Sequence, residues 1–280
     1  MTSNLPRARD ARDLLRAYGL SPKRSFSQNF LVQPGAIEQI ADAAAGLGRR
    51  VVEFGPGLGA LTHALLERDC QVCAVELDRD MLRVLQGEFG DHPALEIQSG
   101  DAAKFDITSF SEASGEKLVV TGNLPYQATG AILRQVVRHR AALCGAVLMV
   151  QREVRDRLVA EPGIKDYGAL SVFTQAGFDV DTVCRLRPGS FHPPPQVESA
   201  VVRLVPREPP LAEETPSFQA IVRAAFQMRR KTLRNALRTL GDDARCARAA
   251  ELEGIDLSRR GETLSVGEFN ALAQRWDALA

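Results

Sequence analysis

The residues whose types and spacing could do chemistry are Asn123 and Tyr126, in the stretch Thr121–Tyr126. The apolar run Leu118–Val120 before them predicts a buried strand, and Pro125 ends it because proline has no N–H for a strand ladder. An amide oxygen and the Leu124 carbonyl facing one pocket could accept both hydrogens of an exocyclic amino group, and the tyrosine could stack on its ring. The alternative is an ordinary Asn-x-Pro turn with a tyrosine in the core.

A glycine-rich turn follows another predicted strand. The strand is Arg50–Phe54, the turn is Gly55–Gly59, and a helix is predicted from Ala60 to Leu66. Strand, glycine turn and helix in this order let the backbone come close to a bound nucleoside.

Two acidic residues end the next two predicted strands. Glu76 follows Gln71–Val75 and could accept hydrogen bonds from both hydroxyls of a ribose. Asp101 lies just beyond Leu95–Gln98 and could accept from an adenine amino group. In open α/β sheets such residues meet at the carboxyl ends of the strands. The alternative is that the glycines serve only tight turns and the acids cap helices.

The ligand predicted from this pattern is one nucleoside with a short tail, and S-adenosylmethionine fits. Dinucleotide binding is the rival, since a glycine turn and a distant acid also occur in NAD sites. The spacing here is G-x-G-x-G rather than G-x-G-x-x-G, and no second mononucleotide half follows. We see no cluster of residues for a metal ion and no covalent nucleophile.

Composition narrows the class of protein. A chain of 280 residues, 45% hydrophobic and 25% charged, predicts one or two globular domains. No apolar run approaches the ~20 residues of a membrane span, and the N-terminus lacks the apolar core of a signal peptide. Five scattered cysteines suit a reducing compartment, so we expect a cytoplasmic protein. The pair Cys70 and Cys73 falls on a predicted strand and is interpreted as structural.

Charge is unevenly distributed, although the net charge is zero. Residues 1–24 carry six Lys or Arg against two acids, and residues 185–240 carry ten against four. Two basic segments on an acidic body are typical of a protein that binds a phosphate backbone. The alternative is that these are simply solvated faces.

Beyond the Asn123 loop, strands are predicted at Gly145–Gln151, Asp179–Leu186 and Ser199–Val205, the last two as an antiparallel hairpin at the sheet edge. The loop between these two contains Phe191 among prolines that stiffen it. A rigidly held, exposed phenylalanine could stack on a base. The alternative is that Phe191 folds back into the core.

The C-terminal part is predicted to be a separate helical domain. A linker at Pro206–Pro216 precedes apolar residues at helical spacing from Val222 to Leu240, with a basic surface between them. We therefore predict a catalytic domain at residues 1–206 and a helical RNA-binding domain at residues 207–280. The basic surface includes Arg229, Arg230, Lys231 and Arg234.

Taken together, the motifs resemble those of the ribosomal RNA adenine N6-methyltransferases, and most closely the bacterial small-subunit dimethyltransferases of the kasugamycin-resistance type. The resemblance spans residues 23 to about 275. The motifs that carry it are Ser27–Leu31, Glu53–Gly59, Glu76–Asp78, Gly100–Ala102, Asn123–Tyr126, Phe191–Val197 and Arg229–Asn235.

The resemblance implies a Rossmann-like class I methyltransferase fold, an α/β seven-stranded sheet with a small C-terminal helical domain. It implies S-adenosyl-L-methionine as methyl donor, and as substrate two adjacent adenosines in a hairpin loop near the 3′ end of small-subunit rRNA, within an assembling 30S particle. A monomer is expected. The cofactor contacts it implies are Asn29, Leu31, Gly55, Gly57, Glu76, Asp101, Ala102 and Asn123.

The remaining expected roles concern the base and the RNA. Asn123, Leu124 and Tyr126 are expected to be catalytic; Phe191 and the four cations named above are expected to bind base or RNA. Two alternatives stay open. One is the large-subunit methylase of the erythromycin-resistance type, and the other is a ribosome-assembly or transcription factor for which turnover is secondary.

Overall fold

The computed structural model describes residue 5, residues 8–23, residue 26 and residues 28–279, and it divides into two units. Unit 1 comprises Met1–Arg155 and Asp181–Pro206, and unit 2 comprises Asp156–Val180 and Arg207–Ala280. In the described part of the chain, no helix is both long and apolar enough to cross a membrane.

The predicted seven-stranded sheet is confirmed. The strands of the protein are β1 (Phe30–Leu31), β2 (Arg50–Phe54), β3 (Gln71–Glu76), β4 (Leu95–Ser99), β5 (Leu118–Asn123), β6 (Leu143–Gln151), β7 (Phe178–Leu186), β8 (Phe191–His192) and β9 (Ser199–Pro206). The sheet order is β4-β3-β2-β5-β6-β9-β7, while β1 and β8 form a separate antiparallel pair. As expected, β7 and β9 are neighbours at one edge of the sheet.

Helices separate the strands of unit 1 and cover the sheet. They are α1 (Ala11–Ala17), α2 (Pro34–Ala45), α3 (Ala60–Leu66), α4 (Arg79–Phe89), α5 (Ile107–Ser114) and α6 (Thr129–Arg138); α7 (Arg152–Leu158) crosses the boundary between the units. The strands from β2 to β6 pair in parallel, and β6 pairs with β9 antiparallel. Buried parallel strands carry near-continuous apolar runs, as β2 and β5 do.

The order of the strands creates a crevice between β2 and β5. From β2 the chain proceeds through β3 to β4 on one side, and it then returns to place β5 on the other side of β2. Such a reversal of strand order leaves a space at the carboxyl ends, where open α/β sheets bind ligands. At Gly122 the two strands approach so closely that a Cβ atom would lie 2.2 Å from the Phe54 carbonyl oxygen.

Unit 2 is helical, with its own core. Its helices are α8 (Ala169–Gly177), α9 (Pro216–Gln227), α10 (Leu233–Leu237), α11 (Asp243–Leu252) and α12 (Val266–Ala278). Tyr167, Phe218 and Phe269 are fully buried in one cluster that also contains residues of α8. The predicted domain boundary therefore needs correction: the prediction places residues 156–180 in the first domain, but their apolar side chains pack against α9 and α12.

The basic run of unit 2 lies in a turn, contrary to the helix that the apolar spacing predicts. α9 ends at Gln227 and α10 begins at Leu233, with Arg229–Lys231 between them. The amides of Leu233 and Arg234 donate to the carbonyls of Arg259 and Leu257 instead of continuing a helix. We use the name basic turn for Arg229, Arg230 and Lys231 together with Arg234, which lies at the start of α10.

Candidate active site

A cavity of about 1130 Å³ lies at the carboxyl ends of the strands of unit 1. The structure brings together here every residue predicted to contact cofactor or to be catalytic: Asn29, Leu31, Gly55, Gly57, Glu76, Asp101, Ala102, Asn123, Leu124 and Tyr126. The first residue of the Ser27–Leu31 motif, Ser27, lies outside the described residues. The convergence follows from the parallel strands, whose carboxyl ends meet at one edge of the sheet.

The glycine turn after β2 places a backbone donor against the acid that ends β3. Gly57 has a φ of 59°, in the left-handed region that favours glycine, and a Cβ there would lie 3.2 Å from the Phe30 ring. Its N–H donates to Glu76 Oε2 at 3.1 Å. The turn is thus tied to the neighbouring strand end, and its backbone is exposed to the cavity.

Glu76 is held in a fixed orientation by backbone donors. Besides the bond from Gly57, its Oε1 accepts from the amides of Leu77 at 2.8 Å and Asp78 at 2.9 Å. Burial raises the pKa of Glu76, although these three hydrogen bonds oppose the rise. These three bonds leave about one acceptor position, on Oε2, with which the buried carboxylate can accept from a sugar hydroxyl in the cavity.

Asp101 presents a second, more exposed carboxylate. One of its oxygens accepts from the Ala103 amide at 2.9 Å, and the other lies 3.8 Å from the Lys104 ammonium. Gln135 of α6 donates to the Ala103 carbonyl at 2.7 Å, which anchors this segment. Asp101 keeps acceptor capacity toward the cavity.

The amide of Asn123 is oriented by the backbone of the N-terminal segment. Its Nδ2 donates to the Asn29 carbonyl at 2.9 Å. Among the described residues Oδ1 has no hydrogen-bond partner, so it remains available as an acceptor. The Leu124 side chain is buried while its N–H donates to the Met149 carbonyl. The loop is therefore fixed, with Tyr126 half-buried along the same cavity.

Comparison with known proteins agrees with this arrangement. The model of the family described as ribosomal RNA adenine dimethylase matches residues 19–277. This chain belongs to that family. It is an S-adenosyl-L-methionine-dependent rRNA adenine dimethyltransferase.

Relatives match the rRNA adenine dimethyltransferase over nearly their whole length. It is 42% identical to the ribosomal RNA small subunit methyltransferase A of Geobacter metallireducens (95% of this chain, 99% of the relative), and 44% identical to that of an Anaeromyxobacter species (97% and 98%). Among solved structures, a dimethyladenosine transferase from Plasmodium falciparum has a TM-score of 0.77 at 25% identity (89% and 98%). The 23S rRNA methyltransferase ErmE has a TM-score of 0.67 at 26% identity (89% and 100%).

The residues of this dimethyltransferase fit the methyl donor. A buried carboxylate, a glycine turn that lines the cavity and a half-exposed aspartate are groups of the kind that a nucleoside needs. Within the described residues, no group of three or more His, Cys, Asp or Glu side chains could hold a metal ion.

One acid in the cavity was not recognised as a site residue from the sequence. Glu53 on β2 is only 1% exposed, and its Oε2 accepts from the Thr62 hydroxyl at 2.6 Å. Burial, with a smaller contribution from the charge of Glu76, raises the pKa of Glu53 to about 7. The available signal was an acidic side chain within an otherwise apolar strand, directly before the glycine turn.

Phe191 is not an exposed stacking platform, so this prediction is wrong in its structural part. Its side chain is 4% exposed and packs in the core of unit 1, and the described lining of the cavity does not include it. Pairing of β8 with β1 places Phe191 opposite Leu31 and turns the ring inward. The alternative, that Phe191 folds back into the core, is the one observed.

The four cations of the basic turn have different surroundings. Arg229 is half-buried, 2.7 Å from Glu262, and its guanidinium also donates to the Lys165 carbonyl. Arg230, Lys231 and Arg234 are exposed. Three side chains of the turn thus face solvent, whereas Arg229 holds parts of unit 2 together.

Proposed function

We propose that this protein dimethylates N6 of two adjacent adenosines in a hairpin loop near the 3′ end of small-subunit rRNA. The names of the relatives above support the small subunit as its target. The proposed methyl transfer is supported chiefly by the orientation of the Asn123 amide. Its nitrogen is engaged by the Asn29 carbonyl, and its oxygen is left to the cavity.

Adenine N6 is a weak nucleophile because its lone pair is conjugated into the ring. When the Asn123 oxygen and the Leu124 carbonyl accept its two hydrogens, the lone pair turns away from conjugation. The methyl donor, when bound, would supply the methyl carbon of its sulfonium group. The bond from N6 to this carbon would form as the carbon–sulfur bond breaks; the sulfur would keep that electron pair and become neutral, and N6 would release one of its protons to solvent. Positioning of the reacting groups by the fixed loop provides the rate.

The target base must leave its stack to reach the cavity. Tyr126 lies beside the two acceptors and could stack on the extruded purine. Base–aromatic stacking is worth about 1–3 kcal/mol, comparable to the few kcal/mol of unstacking. We propose Tyr126 alone for this role, since Phe191 is buried.

We propose that the exposed cations of the basic turn contact phosphates. Such contacts position an RNA and carry no sequence information. We further propose that the protein is a monomer, that it acts in the cytoplasm on an assembling 30S particle, and that this action contributes to maturation of the subunit. The relatives are named for ribosomal RNA of the small subunit, which supports action on that subunit.

Labelled S-adenosyl-L-methionine with unmethylated small subunits, naked small-subunit rRNA and large subunits tests the proposal. We expect label in the small subunit, mapping to two neighbouring adenosines. Label in 23S rRNA would instead identify a large-subunit enzyme. Tight binding to small subunits without transfer would favour an assembly factor.

The Asn123→Ala variant tests the chemistry directly. We expect transfer to be abolished while binding of S-adenosylhomocysteine persists in weakened form. Asn270→Ala, a change of the same kind in α12 of unit 2, serves as the matched control. Normal turnover in the Asn123 variant would rule out the two-acceptor mechanism.

A further inference from the structure

A chain of hydrogen bonds joins the cofactor side of the cavity to the amide of Asn123. Asp78, two residues after Glu76, is 2% exposed and accepts from Lys23 Nζ at 2.6 Å and from Gln28 Nε2 at 2.7 Å. The next residue after Gln28 is Asn29, whose carbonyl orients Asn123. The N-terminal segment therefore contacts two strand ends that lie on opposite sides of β2.

Further hydrogen bonds and an ion pair hold the Lys23 and Gln28 side chains against Asp78. Gln28 uses its other side-chain atom, Oε1, to accept from the Lys23 amide at 2.8 Å, which closes a small ring around Asp78. The Lys23 ammonium also pairs with Asp80 at 2.6 Å. Asp78 in turn caps α4 through the Asp80 amide and donates its own N–H to Glu76.

The electrostatics of the connection favour one protonation state. Burial by itself would raise the pKa of Asp78, but the hydrogen bonds from Lys23, the Asp80 amide and Gln28 hold that pKa below its ordinary value. Asp78 is thus an anion that the N-terminal segment neutralises. A second attachment of the same segment lies further along α4, where Arg9 and Tyr18 both contact Glu88 at 2.9 Å.

We propose that Lys23 and Gln28 are positioning residues, which through Asp78 and the Asn29 carbonyl couple the Glu76 loop that binds the cofactor to the Asn123 amide that holds the base. Neither residue needs to touch substrate. The inference rests on the proposed role of Asn123 for its catalytic half, and on Glu76 for its cofactor half. Loss of either side chain should therefore lower both the affinity for the cofactor and kcat. A residue that contacts only the cofactor would change the affinity alone.

Gln28→Leu tests the coupling, with Gln71→Leu as the matched control. Gln71 begins the strand that Glu76 ends, and it bonds Arg50 at the opposite end of the sheet. Two quantities are measured: affinity for S-adenosylhomocysteine by calorimetry, and kcat at saturating S-adenosyl-L-methionine with the KM for the rRNA that the wild type methylates. We expect Gln28→Leu to lower both affinity and kcat about tenfold, with an unchanged KM for RNA, and Gln71→Leu to lie within twofold of wild type.

Two results would overturn the proposal. One is affinity and kcat both within twofold of wild type in Gln28→Leu. The other is lost affinity with a full kcat at saturating donor, which would confine Gln28 to the cofactor. If the wild type methylates no rRNA, the proposed function is wrong. The affinity of Gln28→Leu for S-adenosylhomocysteine, measured by calorimetry, still tests whether Gln28 positions the Glu76 loop.

Lys23 provides a second variant in case Gln28→Leu does not fold. The Lys23 side chain is 35% exposed, so its replacement is better tolerated. We expect Lys23→Met to weaken binding of S-adenosylhomocysteine, because it leaves the Asp78 anion without its ammonium partner, and Lys23→Arg to restore it. Binding by Lys23→Met at wild-type strength would contradict the proposal.

Discussion

Replacing Glu53 by glutamine should stabilise the free protein at high pH. The carboxyl group is 1% exposed, and burial raises its pKa from 4.5 to about 7. A pKa difference of about 2.5, at about 1.4 kcal/mol for each pKa unit, corresponds to about 3 kcal/mol. Glutamine has nearly the same shape, keeps an acceptor for the Thr62 hydroxyl and carries no charge to desolvate.

The sign of the effect follows from proton binding. Between pH 4.5 and about 7 the folded protein holds the Glu53 proton more tightly than the unfolded chain does, so this group makes stability fall as pH rises. Above pH 7 the penalty is constant. The advantage of Glu53→Gln should therefore be small near pH 4.5 and reach about 3 kcal/mol at pH 8.

The assay must report on unit 1. The single tryptophan, Trp276, lies in unit 2, so its fluorescence does not follow the sheet. Hydrogen exchange at the buried amides of β2 and β3, measured at pH 5 and pH 8 without cofactor, reports the opening free energy of the relevant strands. Glu198→Gln is the control, since Glu198 is exposed and pairs with Arg152 on the surface; it should change stability by less than about 1 kcal/mol at either pH.

A destabilising effect of Glu53→Gln at pH 8 would refute the reasoning, and so would an equal effect at both pH values. The first result would mean that the carboxylate is compensated by interactions that glutamine cannot make. The second would mean that the effect comes from shape or packing rather than from desolvation of a charge.

Three further predictions concern RNA binding, the close approach of β2 and β5 at Gly122, and the core of unit 1. Neutralising the three exposed cations of the basic turn with glutamine should weaken RNA binding and reduce the log–log salt slope by roughly 0.7 per lost phosphate contact; an unchanged slope in a filter-binding titration would remove them from the interface. Gly122→Ala should unfold unit 1 or cost more than about 3 kcal/mol, because its Cβ would lie 2.2 Å from the Phe54 oxygen, whereas Gly35→Ala, with open space around it, should be nearly neutral by urea denaturation. Phe191→Leu should lower stability by about 1–2 kcal/mol with unchanged RNA affinity; weaker binding at full stability would restore Phe191 to the interface.

Much of unit 1 could be predicted from the sequence, because most of its central strands are rich in apolar residues and are bounded by glycine, proline and acids. The residues Gly55, Glu76, Asp101 and Asn123 each follow such a run, and parallel pairing alone is enough to bring them to one cavity. The roles of these residues toward the cofactor and the base stay predictions, which the experiments above test.

Local sequence patterns predicted the wrong structure where a segment distant in sequence binds or packs against the residues concerned. Apolar spacing from Val222 to Leu240 predicts a helix, but the carbonyls of Arg259 and Leu257 take the amides that would continue it. Prolines around Phe191 predict a stiff loop that holds the ring out for stacking, but the direction of the ring depends on the pairing of β8 with a strand about 160 residues earlier in the chain. Residues 156–180 likewise join unit 2 because of packing partners that are distant in sequence.

The sequence by itself determined the strands, the residues at their carboxyl ends and the family, since each of these depends on local order and residue type. Only the tertiary structure decided the raised pKa of Glu53, the contact of Asn29 with Asn123 and the ring of hydrogen bonds around Asp78. Those properties depend on how far a group lies from water and from partners across the fold. Desolvation and hydrogen bonding between distant segments act through space, and they arise only when the chain has folded.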